Sequence, residues 1–129
     1  MRKTIKTLVV LTACFTSHWA LAESADQLQQ QVYQCERGVS LPVTYLNSGS
    51  GGAYAVLHVD GQQIAMRNTV SASGALYISN DKERDYSWHS KGNSGVLSWQ
   101  PSGEPEQSVI VLSECATAEE MLAKIVSDL

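Results

Sequence analysis

Two small groups that could meet a carboxylate stand beside glycines in one stretch of this chain. Ser73 precedes Gly74, and Lys91 precedes Gly92. A hydroxyl both donates and accepts hydrogen bonds, an ammonium donates three, and glycine lets the backbone beside each bend sharply. Between them, Ala75 to Ser79 and Asp85 to Ser90 read as two β-strands separated by a polar loop. In an antiparallel hairpin, the residues just before the first strand and just after the second meet at one edge of the sheet. The spacing therefore predicts a hydroxyl and a cation side by side, suited to a carboxylate on another molecule.

Other chemistry is poorly served. Ser, His and Asp are all present, but there is no Gly-x-Ser-x-Gly elbow, and neither His58 nor His89 has an orienting motif. Glu83 with Asp85, and Glu104 with Glu106, fall in loops and read as solvated charge. A glycosidase needs its carboxylates fixed on opposite sides of a cleft. No catalytic residue is expected, and the protein does not read as an enzyme. Without a Cys-x-x-Cys, and with no ligand spacing between the two histidines, neither metal nor cofactor is expected. Taken singly, Lys91 reads as a solvated cation near Asp81, Glu83 or Asp85, and Ser73 as a turn hydroxyl bonded to nearby backbone. A rival reading sets Tyr77, Tyr86 and Trp88 around the open end of a barrel that binds a small ligand or peptidoglycan.

The start of the chain reads as an export signal. Arg2, Lys3 and Lys6 precede an apolar run from Leu8 to Cys14, and Ala20-Leu21-Ala22 is a small-x-small cleavage site before Glu23. The run is too short for a membrane span. Leu11-Thr12-Ala13-Cys14 has the shape of a lipoprotein signal, but the better-formed region continues to Ala22, so no membrane anchor is expected. Residues 1–22 are thus set aside as a signal peptide and 23–129 as a single domain, exported to the periplasm. The mature chain carries 6 Lys and Arg against 13 Asp and Glu, a net charge of −7. That balance argues against nucleic acid and anionic membrane surfaces as partners and suits a basic protein or a cationic ligand. Cys35 and Cys115 remain as an even pair in an oxidising compartment, which favours a disulfide between the first strand and the last. Closing so long a loop stabilises a fold by about 4 kcal/mol in the chain-entropy description.

The elements that must position Ser73 and Lys91 follow from period-two alternation. Ser24 to Gln31 is polar and carries a weak capping box, which suggests a turn or two of helix; Val32 to Glu36 then reads as the first strand. Leu41 to Leu46 sets Leu41, Val43 and Tyr45 on one face, and Pro42 marks it as an edge strand or a strand start. Ala53 to Val59 and Ile64 to Val70 alternate around a tight Asp60-Gly61 turn. Gly95 to Gln100 and a last strand from Val109 to Cys115 complete about eight short strands. Turn signals at such close intervals point to an all-β fold, an antiparallel barrel or a sandwich; a small antiparallel eight-stranded barrel is preferred, because closing the sheet leaves no edge exposed. The tail is helical: Ala118, Met121, Leu122, Ile125, Val126 and Leu129 recur on one face, behind a Thr117/Glu120 capping box. Its apolar stripe is expected to lie against the sheet; the alternative is pairing with a second copy as a homodimer.

Four motifs carry a resemblance. Tyr33-Gln34-Cys35, Ser71-Ala72-Ser73-Gly74-Ala75-Leu76-Tyr77, Trp88-His89-Ser90-Lys91-Gly92 and Leu112-Ser113-Glu114-Cys115 together resemble the bacterial inhibitors of c-type lysozyme, over about Val32 to Cys115. That family has membrane-bound and periplasmic branches, and the weak lipoprotein signal favours the periplasmic one. The resemblance implies an eight-stranded barrel with a disulfide joining its ends. It also implies a lysozyme-binding site in which the serine of Ser-Gly and the lysine of Lys-Gly enter the active-site cleft. Those are Ser73 and Lys91 here, with Gly74 and Gly92 beside them and Tyr77 matching the tyrosine of the Ser-Gly-x-x-Tyr pattern. The chain departs from the membrane-bound members in a longer Asn80 to Arg84 loop and in the histidine at position 89.

Overall fold

A computed structural model describes residues 24–81, 85–101 and 107–129. The signal peptide expected over 1–22, Glu83 and Arg84 of the polar loop, and the pair Glu104 and Glu106 lie outside these residues.

Alternation in the sequence becomes an inside and an outside. Strand β3 (Ala53–Val59) buries Ala55, Leu57 and Val59 and exposes Tyr54, Val56 and His58. In β4 (Gln62–Thr69) Ile64 and Met66 point inward between exposed neighbours. Asp60 and Gly61 join the two with φ of 48° and 74°, the doubly left-handed turn that Asp-Gly favours between twisted strands. The remaining strands are β1 (Gln27–Gln34), β2 (Ser40–Asn47), β5 (Ala75–Ser79), β6 (Tyr86–Lys91), β7 (Ser94–Trp99) and β8 (Val109–Thr117). All eight pair antiparallel with their sequence neighbours, and β1 meets β8 to close the barrel.

Most strand ends lie within a residue or two of the reading of the sequence, but the first two strands differ from it in substance. β1 begins at Gln27, not Val32, so the glutamine-rich segment is strand rather than helix. Residues 27–31 bury no side chain; their conformation comes from backbone pairing with β2, Gln27 opposite Asn47 through Gln31 opposite Val43. Pro42 is not on an edge either. It sits opposite Val32 of β1, while the register with β3 begins one residue later at Val43. The proline's missing N–H thus opens no gap in the β2–β3 ladder.

The barrel interior is filled. Trp88, Leu41, Leu57, Met66, Leu97 and Val43 are among its fully buried side chains, each contributing about 1.5–3 kcal/mol by leaving water. The Trp88 ring stands edge-on to Tyr33, centroids 5.0 Å apart, and its indole N–H donates to the Tyr45 hydroxyl at 2.8 Å. Tyr45 in turn shares a 2.9 Å hydrogen bond with the Tyr33 hydroxyl. Gly95 admits the indole, since a Cβ at that position would collide with the Trp88 ring. Burial, with Tyr45 beside it, pushes the Tyr33 hydroxyl well above its ordinary pKa. A disulfide joins Cys35, just past β1, to Cys115 in β8.

A single helix, α1 (Ala118–Ser127), follows β8 directly. Thr117 caps it, its hydroxyl accepting from the Glu120 N–H at 3.4 Å. The helix does not cover its apolar stripe against the sheet as expected. None of its residues is buried, and Leu122, Ile125 and Val126 are each more than half exposed. β8 ends as a strand at Thr117, opposite Tyr33, and the chain turns into α1 there, while β1 continues to Gln27 in its pairing with β2.

Antiparallel order fixes which turns share an end. The C-terminal ends of β1, β3, β5 and β7 lie at one end of the barrel, and those of β2, β4 and β6 lie at the other.

Candidate functional site

The β4–β5 and β6–β7 turns, which hold Ser73 and Lys91, share that second end. Strands β5 and β6 pair Ala75 with Ser90, Leu76 with His89 and Tyr77 with Trp88. One step further along this register brings Gly74 level with Lys91. The approach is close: a Cβ on Gly74 would strike the Ser90 carbonyl oxygen and lie 3.3 Å from the Lys91 Cβ. Gly74 also has φ of 68°, where side chains are strained, so this position needs glycine on two counts.

Both turns are fastened through their backbones. The Ser73 carbonyl accepts from the Ser71 hydroxyl at 2.8 Å and lies 2.8 Å from Nε2 of His89. Gly92, at φ 57°, takes the first central position of the two-residue turn between β6 and β7. The Ser94 hydroxyl donates to the Lys91 carbonyl at 3.0 Å, and the Thr117 N–H donates to the Asn93 carbonyl at 2.9 Å. The last residue of β8 thereby holds the lysine turn from one side while its side chain caps α1.

The side-chain heads are left over. Ser73 and Lys91 are both exposed. Among the described residues, neither the Ser73 hydroxyl nor the Lys91 ammonium has a hydrogen-bond or ion-pair partner; Asp81 and Asp85 do not pair with the lysine. The neighbouring strand positions alternate beneath them: Trp88 and Ser90 face the core, His89 and Lys91 the outside.

Tyr77 does not join them. It is only 6% exposed, its ring centroid 5.6 Å from that of Tyr45, because the register that sends His89 outward sends Tyr77 and Trp88 inward. It offers little surface to a partner and lies beneath the exposed pair. Burial raises the pKa of its hydroxyl above the ordinary value. The same burial removes the expected aromatic mouth: Trp88 is fully enclosed and Tyr86 half-buried, so the three aromatics do not ring an open end.

Sequence reasoning missed the fastenings. Ser71, two residues before Ser73, had the spacing of a side-chain turn. The bonds from His89 and Thr117 join residues distant in sequence, and only the register reveals them. Among the described residues no three His, Cys, Asp or Glu side chains gather to hold a metal. His58 is exposed on the outer face of β3.

The fold and site define a disulfide-closed barrel whose interior is filled by packed side chains and whose second end carries Ser73 and Lys91, both exposed. The family described as membrane-bound lysozyme-inhibitor of c-type lysozyme matches residues 33–105, and this chain belongs to it. A membrane-bound lysozyme inhibitor of C-type lysozyme from Cupriavidus necator is 36% identical over 100 residues, spanning 74% of this chain and 76% of that protein. Another of that name, from Pseudomonas aeruginosa, is 35% identical over 79 residues, spanning 60% of this chain and 58% of its own. The crystal structure of the periplasmic lysozyme inhibitor of C-type lysozyme from Salmonella typhimurium superposes with a TM-score of 0.62 at 30% identity, covering 71% of this chain and 99% of that one. The family is one of inhibitor proteins, and the eight-stranded barrel matches the solved fold.

Proposed function

We propose that this protein inhibits a c-type lysozyme by setting Ser73 and Lys91 into the enzyme's active-site cleft. The observation that carries this reading is the pair of unpartnered polar heads on two hydrogen-bonded turns at one rim. Groups without partners at home lose no protein–protein bond when they bind elsewhere. Their fixed backbones reduce the ordering cost of association.

The target's chemistry explains why a serine and a lysine would suffice. C-type lysozyme works with one carboxyl kept protonated as a general acid and a second kept ionised. An ammonium placed against the acid favours its charged form and removes the proton that catalysis needs. The Ser73 hydroxyl would donate to the other carboxylate, and Gly74 and Gly92 would let the backbone approach the cleft. Hydrogen bonds to charged groups contribute about 1.5–3 kcal/mol each before desolvation is subtracted. The acidic mature chain, at −7, would steer toward a basic enzyme and make association salt-sensitive. A lysis assay tests this directly. The purified mature protein should suppress lysis of cell walls by a c-type lysozyme, less so as salt rises; lysis at the uninhibited rate would overturn the reading.

We further infer that the domain is 23–129, released into the periplasm after cleavage behind Ala22. The Ala20-Leu21-Ala22 site, the Cys35–Cys115 disulfide and the likeness to a periplasmic inhibitor support this. Intact mass should match a chain starting at Glu23, and a diacylated chain starting at Cys14 would contradict it.

A further inference from the structure

We propose that His89 is a positioning residue for the inhibitory serine, holding the Ser73–Gly74 peptide in its binding orientation. The inference rests on reading Ser73 as a lysozyme-facing group and adds a residue to that site.

The need for such a brace comes from glycine. Gly74 must be glycine because of its left-handed φ and its contact with Ser90, yet glycine restrains its neighbours least of all residues. Something else must then hold Ser73. The Ser73 carbonyl has two hydrogen-bonding directions, and both are occupied: the Ser71 hydroxyl at 2.8 Å from within the turn, and His89 Nε2 at 2.8 Å from the neighbouring strand. The carbonyl can only accept, so Nε2 carries the proton and the imidazole donates. Ser71 Oγ also lies 3.5 Å from the same nitrogen, which closes a three-residue cluster over the turn.

Local packing and strand register give His89 this reach. It is opposite Leu76 on the outer face of β6, two residues before Lys91 on the same face. A Cβ at position 74 would sit only 3.3 Å from its Nε2, so the ring lies directly against the glycine. The carbonyl carbon of Ser73 and the nitrogen of Gly74 share one peptide plane. Fixing that plane from β6 therefore fixes the serine relative to Lys91, which the same strand carries. Of the two turn donors, only His89 links the serine loop to the lysine strand; Ser71 belongs to the loop itself. A fixed spacing between the two backbone positions that carry the hydroxyl and the ammonium favours recognition of two carboxylates in one cleft.

The test compares His89→Ala and His89→Gln in the full mature protein. A glutamine amide can return a donor near the place of Nε2. In the free protein, backbone ¹⁵N relaxation should show the Ser73 and Gly74 amides falling from the order of a rigid backbone to that of a flexible loop in His89→Ala. Core amides such as Leu57 and Leu97 should not change, and His89→Gln should recover most of the loss. Against lysozyme, His89→Ala should weaken inhibition about three- to tenfold, mainly by slowing productive association, with partial rescue by glutamine. Unchanged loop relaxation in His89→Ala would overturn the brace whatever the target is. A mobile loop with undiminished inhibition would overturn its role in binding. Failure of the unsubstituted protein to inhibit would instead overturn the proposed function, and with it the use made of the brace, while the relaxation result would stand alone.

Discussion

Arg37-Gly38 and Lys91-Gly92 are the same dipeptide pattern at opposite ends of one barrel, a cation followed by a glycine in the left-handed region. Gly38 has φ of 70° and Gly92 of 57°. Their surroundings differ. Arg37 donates to the Val111 carbonyl at 3.0 Å and lies 3.9 Å from the Glu36 carboxylate, which accepts the Ser113 N–H at 2.9 Å. The first turn is thereby tied to the last strand next to the disulfide. At Lys91 the ties run through the main chain only, from Ser94 to its carbonyl and from Thr117 to the turn, and the ammonium is left without a partner among the described residues. One cation is tied to the last strand and the other stands exposed. The pattern of residue types does not separate the two; the accounting of partners does.

The largest effect should come from removing what both ends share. Replacing Cys35 and Cys115 with serine should cost about 2–5 kcal/mol of stability, read by urea denaturation. A loss well under that would mean that the ladder between β1 and β8 closes the barrel unaided. Next, Lys91→Ala should weaken lysozyme inhibition at least about tenfold, or about 1.4 kcal/mol, with an unchanged denaturation midpoint. A parallel fall in stability would place Lys91 with Arg37 as a structural cation. Arg37→Ala should do the reverse on a smaller scale. It should lower stability by under about 1 kcal/mol, since the side chain is solvent-exposed, and leave inhibition intact.

The smallest effect concerns acid. The Ser113 hydrogen bonds, and then Arg37, hold the Glu36 carboxyl below its ordinary pKa of 4.5. A group whose folded pKa is depressed stabilises the fold above its unfolded pKa, and that contribution disappears as pH falls through the folded value. The stability of the unsubstituted protein should therefore drop more between about pH 6 and about pH 3 than that of Glu36→Gln. Equal drops would remove Glu36 from the tie at the first turn.

Much of this was legible in the sequence, for reasons that differ by element. The alternation in Ala53–Val59 and Ile64–Met66 reported the barrel because one face of each strand is buried. Asp60-Gly61 and Lys91-Gly92 announced their turns through glycine's tolerance of positive φ. The Cys35–Cys115 pairing followed from compartment and parity. Gln27 to Gln31 was illegible as strand because it buries nothing and so leaves no pattern. The stripe in α1 promised a packed helix, but periodicity shows only that a helix has an apolar face, not what covers it. A motif position says which residues belong together, while only the register says that Tyr77 faces inward and His89 outward.

The most direct test of the claim that the rim, and not the opposite end, meets lysozyme is one ratio of inhibition constants. Ser73→Ala with Lys91→Ala in one chain is measured beside Arg37→Ala, both checked for an intact fold by circular dichroism. The double variant should inhibit at least about tenfold more weakly than Arg37→Ala. Equal inhibition by the two folded proteins would contradict the account.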